Sequence, residues 1–311
     1  MTEIRLPAST SNLGPGFDCF GLALKLYLTV QAKAVPGASE ACRVTTTGAQ
    51  ENEALPRNAV NLIYRAMSFA ARREDVLLPP VELTVHNEIP LASGLGSSAA
   101  AIVAGIKLAG LLTERELSDQ TIQNYATEFE GHPDNVAATL YGGFLASCIS
   151  SDGRVISAKF EWPAEIRVVV VSPHSQVPTH VARAALPRAI SRVDAVHNLQ
   201  RTALFTAALA QRRYELLWEA MRDRTHQPYR ESLVPGVAEA LALPGMNGLL
   251  GLALSGAGPS IVALVNDHDD EIGARIASCF QARKIDATVR KLDADNEGCK
   301  VIADCQLPTA N

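Results

Sequence analysis

No two cysteines in this chain are spaced as Cys-x-x-Cys: Cys19, Cys42, Cys148, Cys279, Cys299 and Cys305 lie far apart. That scatter argues against a zinc ribbon or a disulfide framework and predicts reduced thiols, hence a cytoplasmic protein. The first residues, Met1 to Pro7, lack a basic stretch followed by an apolar one, so no signal peptide is expected. The most apolar stretch, Ala99 to Leu112, is interrupted by Lys107 and is too short to span a bilayer; it reads as a buried helix. An excess of positive charge is missing too. The formal net charge of −5 argues against non-specific nucleic-acid binding and against an anionic membrane surface. Any polyphosphate must then be held by backbone dipoles, a metal and a few local arginines. No glycine loop is followed by Gly-Lys-Ser/Thr, which excludes a Walker A loop, and no strand precedes a Gly-x-Gly-x-x-Gly, which argues against a dinucleotide-binding oxidoreductase. Internal repeats, low-complexity tracts and long linkers are absent.

What is present is the composition of a globular protein, 47% hydrophobic and 20% charged, in a 311-residue chain long enough for about two domains. Val81 to His86 alternates apolar and polar as a half-buried strand does. Ser118 to Glu130 has a capping serine and an apolar face of Ile122, Tyr125, Ala126 and Phe129, which predicts a helix. A short helix is expected over Asn135 to Tyr141, stopped by Gly142-Gly143. Arg167 to Ser172 is a β-branched run typical of a buried strand. Helical stretches are predicted near 179–190, 192–210 and 212–225. After them come a strand over Leu249 to Leu254, a glycine turn, a strand or helix start at Ser260 to Val265, a helix over Asp269 to Arg283 and a closing strand over Ala287 to Leu292. Strands interspersed with helices at these lengths indicate an α+β protein with a boundary near residues 150–165.

Three glycine segments stand out. They are Pro7-Ala-Ser-Thr-Ser-Asn12-Leu-Gly14-Pro-Gly16-Phe-Asp18, then Pro90-Leu-Ala-Ser-Gly94-Leu-Gly96-Ser-Ser-Ala-Ala-Ala101, then Leu254-Ser-Gly256-Ala-Gly258-Pro-Ser260. In the second, glycines allow close backbone approach to a ligand, and Ser97 and Ser98 open the apolar helix. Unpaired N–H groups and the positive end of the helix dipole suit phosphate there.

With this trio in this order the chain resembles the GHMP small-molecule kinases. Asn12-Leu-Gly-x-Gly-Phe-Asp18 and Glu130-Gly-His132-Pro-Asp134-Asn135-Val-Ala bring it closest to the homoserine kinase subfamily. The similarity covers essentially the whole chain. It implies a two-domain GHMP kinase fold: an ATP-binding N-terminal domain like ribosomal protein S5 domain 2 over residues 1–160, and a ferredoxin-like C-terminal domain over 161–311. It also implies ATP-dependent phosphorylation of the side-chain hydroxyl of L-homoserine, a step toward threonine.

The resemblance carries roles residue by residue. Pro90, Leu91, Ala92, Ser93, Gly94, Leu95, Gly96, Ser97, Ser98, Ala99 and Ala100 would bind ATP, with Asn61 beside the adenine. Ser98 and Glu130 would hold Mg²⁺, which takes a few hard oxygens along with water and phosphate; Glu128 is the rival carboxylate. Asp18 would meet the substrate ammonium, with Asn12 nearby. Arg183 and Arg230 would clamp the carboxylate, since guanidinium forks grip it bidentately. Thr179, His132 and Asn135 would surround the hydroxyl, and Gly256 would back the substrate. Ser98, Glu130 and Asn135 would be the catalytic set. Asp134 either accepts the hydroxyl proton or caps the helix that follows it. The subfamily pattern instead places Asn135 against the hydroxyl and needs no base, because positioning suffices for a loose transition state. A kinase of another small alcohol such as mevalonate, and a non-catalytic nucleotide-binding regulator, are the alternatives. Asp18 speaks for an amino-acid acceptor, since mevalonate has no cation. A homodimer is left open.

Overall fold

The computed structural model describes residues 1–47 and 55–304. Cys305 lies outside them, and the described cysteines are free. Seven of the described strands build one sheet. Strands β1 (Thr2–Asn12) and β2 (Gly16–Ala34) form a long antiparallel hairpin. On its far side β2 pairs with β4 (Val81–Asn87), and β3 (Cys42–Thr47) runs parallel to β4. The other end of β2 takes β5 (Phe144–Ile149), which pairs with β6 (Val155–Phe160). Helices α1 (Leu62–Arg73), α2 (Ser97–Leu112), α3 (Asp119–Glu130) and α4 (Asp134–Tyr141) belong to the same half of the chain. Helix α2 is buried almost all round, so it has no polar face to show water. The predicted helix ends hold: Ser118 Oγ accepts the Thr121 N–H at the start of α3, and Gly131 (φ +94°) and Gly142 (φ +71°) terminate α3 and α4.

Four strands build the second sheet in the order β10 (Ala287–Leu292), β7 (Arg167–Pro173), β9 (Ile261–Val265), β8 (Leu249–Leu254), every neighbour antiparallel. Helices α5 (Thr179–Ala184), α6 (Arg192–Ala210), α7 (Leu217–Ala220), α8 (Gln227–Arg230) and α9 (Val237–Leu241) connect β7 to β8, and α10 (Asp269–Gln281) connects β9 to β10. The connectivity is the β-α-β-β-α-β of a ferredoxin-like unit, as expected.

Side-chain alternation along β7 ties the halves together. Val168 and Val170 enter a core that also holds α2 and β1, whereas Val169 and Val171 enter a second core under α10. Phe144 is fully buried against Phe20, Trp162 and, from α6, Phe205, with ring centroids 4.9, 6.3 and 5.3 Å away.

Four expectations change. The stretch near 179–190 is helical only to Ala184, because Pro187 restricts the residue before it. No single helix fills 212–225: a 3₁₀ turn (Tyr214–Leu216) and α7 are followed by a loop in which Asp223 takes the N–H groups of Thr225, His226 and Gln227. Residues 261–265 are strand, not a helix start. Finally, β10 does not close the chain, since β11 (Lys300–Asp304) returns to the first sheet and pairs with β1. Among the described residues no helix is long and apolar enough to cross a membrane.

Truncating Phe144 to alanine removes the ring shared by β2, β6 and α6 and should cost about 3–5 kcal/mol. Urea unfolding checks this, and a loss below about 1 kcal/mol would show that the aromatic cluster does not couple the two halves.

Candidate active site

The three glycine segments meet backbone to backbone. The Ser9 N–H donates to Leu95 O (3.1 Å), the Gly256 N–H to Ser11 O (3.1 Å), and the Ser260 N–H to Ser93 O (3.3 Å). Ser255 Oγ bonds both Gly94 O (2.7 Å) and Thr10 Oγ1 (2.8 Å). Asn12 Nδ2 donates to Gly256 O (3.0 Å), while its Oδ1 accepts the Asp18 N–H (3.1 Å). This packing alters the reason for the glycines. A Cβ on Gly94 (φ +84°) would lie 2.1 Å from Ser255 O, and one on Gly96 (φ +71°) 2.0 Å from Ser9 Oγ. Both positions are reserved for glycine by neighbouring protein and by a left-handed backbone, before any ligand arrives.

At the start of α2, Gly96 offers no side-chain cap. The Ala100 N–H is spent on Gly96 O (3.0 Å), which leaves the amides of Ser97 and Ser98 as the donors at the cleft, since Ala99 is fully buried. Ala100 therefore cannot join a cradle through its own N–H. Ser98 Oγ donates to Glu130 Oε2 at 2.9 Å, so a hydroxyl and a carboxylate from two helices come within reach of one ion. Glu128 turns away and pairs with Arg73 at 2.9 Å. Burial pushes the Glu130 carboxyl up, and the charge of His132 pulls it partly back. The cleft in front of this corner has a volume of about 90 Å³, and Gly94 to Ser98, Glu130, His132, Asn135, Thr179 and Gly256 are among the residues that line it. Of the other expected ATP contacts, Pro90, Ala92 and Ser93 also line it. Leu91 faces a separate cleft, and Ala99 is fully buried.

Behind the lining, His132 Nδ1 and Asp134 Oδ1 approach to 2.5 Å. Burial opposes the His132 charge, but Asp134 outweighs it and raises the imidazole's pKa. Burial opposes the Asp134 charge as well; His132 and the Asn135 N–H (2.7 Å) overcome it and hold the carboxyl below its usual range. Asp134 is the first residue of α4 and not its N-cap, which is Pro133. Asn135 Nδ2 donates to Ser11 Oγ and its Oδ1 accepts from Ser9 Oγ, both at 2.9 Å, so the asparagine pins α4 to β1.

Asp18 and Arg183 hold each other in a fork, Nη2 to Oδ1 at 2.6 Å and Nη1 to Oδ2 at 3.1 Å. Burial works against the guanidinium, and Asp18 more than offsets it. Arg230 is buried, with its Nη1 donating to Gly256 O (3.2 Å) and facing His226 Nδ1 (3.3 Å). Burial, then Arg183, lowers its pKa. Both arginines lie over the Phe17 ring, at 5.6 and 5.3 Å. Burial keeps His226 neutral. With its Nε2–H donated to Gly14 O (2.7 Å), its Nδ1 is left to accept from Arg230. Asn61 does not line the cleft. It caps α1, accepting the Ile63 N–H (3.0 Å) and donating to Pro56 O (2.9 Å). The start of α1 nevertheless lies toward the end of α3, where Arg65 covers the Phe129 ring at 5.7 Å.

Sequence reasoning did not single out Ser9, Ser11, Phe17, His226 or Ser255 individually. The serines sit inside quoted glycine segments, alternating along a strand, and His226 stands four residues before Arg230 on the turn that opens α8; those spacings were the available signals.

Two family models match the chain: the GHMP kinases N terminal domain over residues 61–143 and the GHMP kinases C terminal model over residues 205–282. The chain is 45% identical over 279 residues to a homoserine kinase of Solibacter usitatus, covering 90% of each protein. It is 39% identical over 303 residues to a homoserine kinase of Desulfitobacterium hafniense, covering 97% of this chain and all of that one (100%). The crystal structure of a homoserine kinase from Cytophaga hutchinsonii superposes with a TM-score of 0.84 at 29% identity, covering 97% of each chain.

The His132–Asp134 pair should give stability a two-sided pH dependence. The lowered Asp134 pKa contributes above the ordinary 3.8 and is lost on acidification. The raised His132 pKa contributes below the ordinary 6.5 and is lost as pH rises through the raised value. The melting difference between the wild type and Asp134→Asn should therefore be largest between about pH 4 and 6.5 and narrow on either side. A difference that does not vary with pH would show the pair carries no such charge.

Proposed function

The chain belongs to the homoserine kinases of the GHMP kinase family, and from that premise we propose that it transfers the γ-phosphoryl group of ATP to the side-chain hydroxyl of L-homoserine. The product, O-phospho-L-homoserine, lies toward threonine. The observation that carries this reading is an uncapped helix N-terminus and the Ser98–Glu130 pair on one cleft, with the Asp18–Arg183 ion pair just beside it: an Asp18 oxygen lies within 4.8 Å of a ring nitrogen of His132, a lining residue. The division at residue 160 belongs to the same proposal, with β11 returning across it.

The residues present fit both a triphosphate and Mg²⁺. The open amides of Ser97 and Ser98 at the start of a 16-residue helix offer donors where the helix dipole is positive. Ser98 Oγ and a Glu130 oxygen are hard ligands of the kind Mg²⁺ accepts beside phosphate and water. When bound, the ion offsets charge on the phosphates. The Gly94 to Ser98 backbone would then orient the phosphoryl group, with Pro90, Ala92 and Ser93 beside it.

Homoserine brings both a carboxylate and an ammonium to a place where a carboxylate and a guanidinium already pair. We assign the carboxylate to Arg183 and Arg230 and the ammonium to Asp18, so that one ion pair is exchanged for two and no charge is left buried alone. Asn12 fixes the Asp18 backbone for that exchange. Thr179, His132, Asn135 and Gly256 close around the hydroxyl. The depressed pKa of Asp134 makes it a poor proton acceptor, which supports transfer without a side-chain base. His132, biased toward its charged form, adds positive potential where phosphate charge gathers. The negative net charge supports a small-molecule partner over nucleic acid or an anionic membrane.

ADP release followed with L-homoserine, L-serine, mevalonate and galactose tests the assignment, and turnover is expected with L-homoserine alone. Faster turnover with mevalonate would sink it. Ser98→Ala and Glu130→Gln should each lower kcat on the order of a hundredfold with the far-UV spectrum unchanged; unaltered kcat in both removes the metal assignment. Arg183→Ala should raise the KM for homoserine and leave that for ATP, so a change confined to ATP would overturn the pocket.

A further inference from the structure

Among the described residues Arg290 is a partly buried cation with no anion paired to it. Its Nη1 is buried and has no hydrogen-bond partner among them, and burial lowers its pKa. Taking a guanidinium out of water with nothing opposite it is unfavourable, so such a group calls for a partner. Arg290 sits on β10 two residues after Thr288, on the same face of the strand, and the pair faces Val170 and Ser172 of β7. Both line a cleft of about 510 Å³ between the four-stranded sheet and the loop that follows β4. Glu88, Leu91 and Ser93 form the facing wall. This cleft shares only Pro90 and Ser93 with the lining of the active site, and so lies on the other side of the phosphate loop. His174 stands in it with Nε2 2.9 Å from Thr288 Oγ1. When His174 donates there, the Thr288 hydroxyl keeps its own proton for a third group.

We propose that this cleft is a second ligand site, taking a small oxyanion (a phosphate or carboxylate head group) on Arg290 and the Thr288 hydroxyl, and that its occupancy braces the phosphate loop against the four-stranded sheet. Glu88 across the cleft disfavours a polyanion such as a nucleotide triphosphate and suits a ligand carrying a single anionic group. The site is independent of the homoserine assignment, because no residue placed in phosphoryl transfer holds the anion.

The test uses the full chain with a saturating non-hydrolysable ATP analogue, so that the phosphate loop is occupied. Inorganic phosphate and, separately, acetate are titrated calorimetrically. Saturable binding of at least one anion is expected, weakened roughly tenfold or more in Arg290→Gln because a charge-assisted contact is lost. Phosphate alone or acetate alone as the bound probe tells a phosphate-bearing from a carboxylate-bearing ligand. Absence of binding by either anion, equal binding by wild type and R290Q, or binding seen only without the analogue overturns the proposal. Melting gives a second readout that does not depend on turnover. In anion-free buffer Arg290→Met should melt higher than wild type, since an unpaired buried charge is replaced by apolar volume, and the gap should narrow as the bound anion is added. A variant that melts lower, or a gap indifferent to the anion, overturns it too.

Discussion

Ser255 Oγ, hydrogen-bonded to Thr10 Oγ1 and to Gly94 O, is the contact on which the architecture of the site depends. One hydroxyl from the third glycine segment reaches the first and the second together. The carbonyl of the same residue fills the space a Cβ on Gly94 would need. Loops from three distant parts of the chain can come this close only where side chains are missing, which gives the glycines their positions. The loop proposed to bind phosphate is thereby shaped by protein contacts, and in that role its open amides would need no reorganisation to meet an anion.

Around that contact the charges are arranged to be exchanged as well as held. Asp18 and Arg183 neutralise one another, and under the proposed function each would partner one half of a zwitterionic acceptor. His132 and Asp134 do the same one layer deeper, and Arg230 relies on carbonyls and on a neutral His226 in place of an acid. The contrast explains why Arg183 and Arg230 shift in opposite directions although both are cations over Phe17: one has a carboxylate in its fork and the other does not.

Much of the local structure was readable from residue order. Ser118, Gly131 and Gly142 mark helix ends by capping chemistry that acts within a turn, and the Val run of β7 declares a strand buried on both faces. The helical pattern near 212–225 failed because Asp223 offers the backbone a competing set of hydrogen bonds. Strand β11 was missed because a short pairing with the first strand of the chain has no local periodicity to announce it. The family resemblance carried by the motifs pointed to Ser98, Glu130 and Asp18 within them and to Arg183 outside them. They were silent on Ser9 and Ser11, whose importance lies in contacts with Asn135 more than a hundred residues away, at separations of 126 and 124.

By itself the sequence determined the glycine loops, the helix caps, the apolar helix behind the phosphate loop and the order of motifs that marks the family, since each depends on residues within a few positions of one another. Only the tertiary structure decided that Asp18 pairs with Arg183 across 165 positions, that Glu130 rather than Glu128 meets Ser98, and that Arg290 finds no anion among the described residues. Those outcomes depend on which surfaces the two sheets bring face to face, and long-range electrostatic partnership leaves no trace in local spacing.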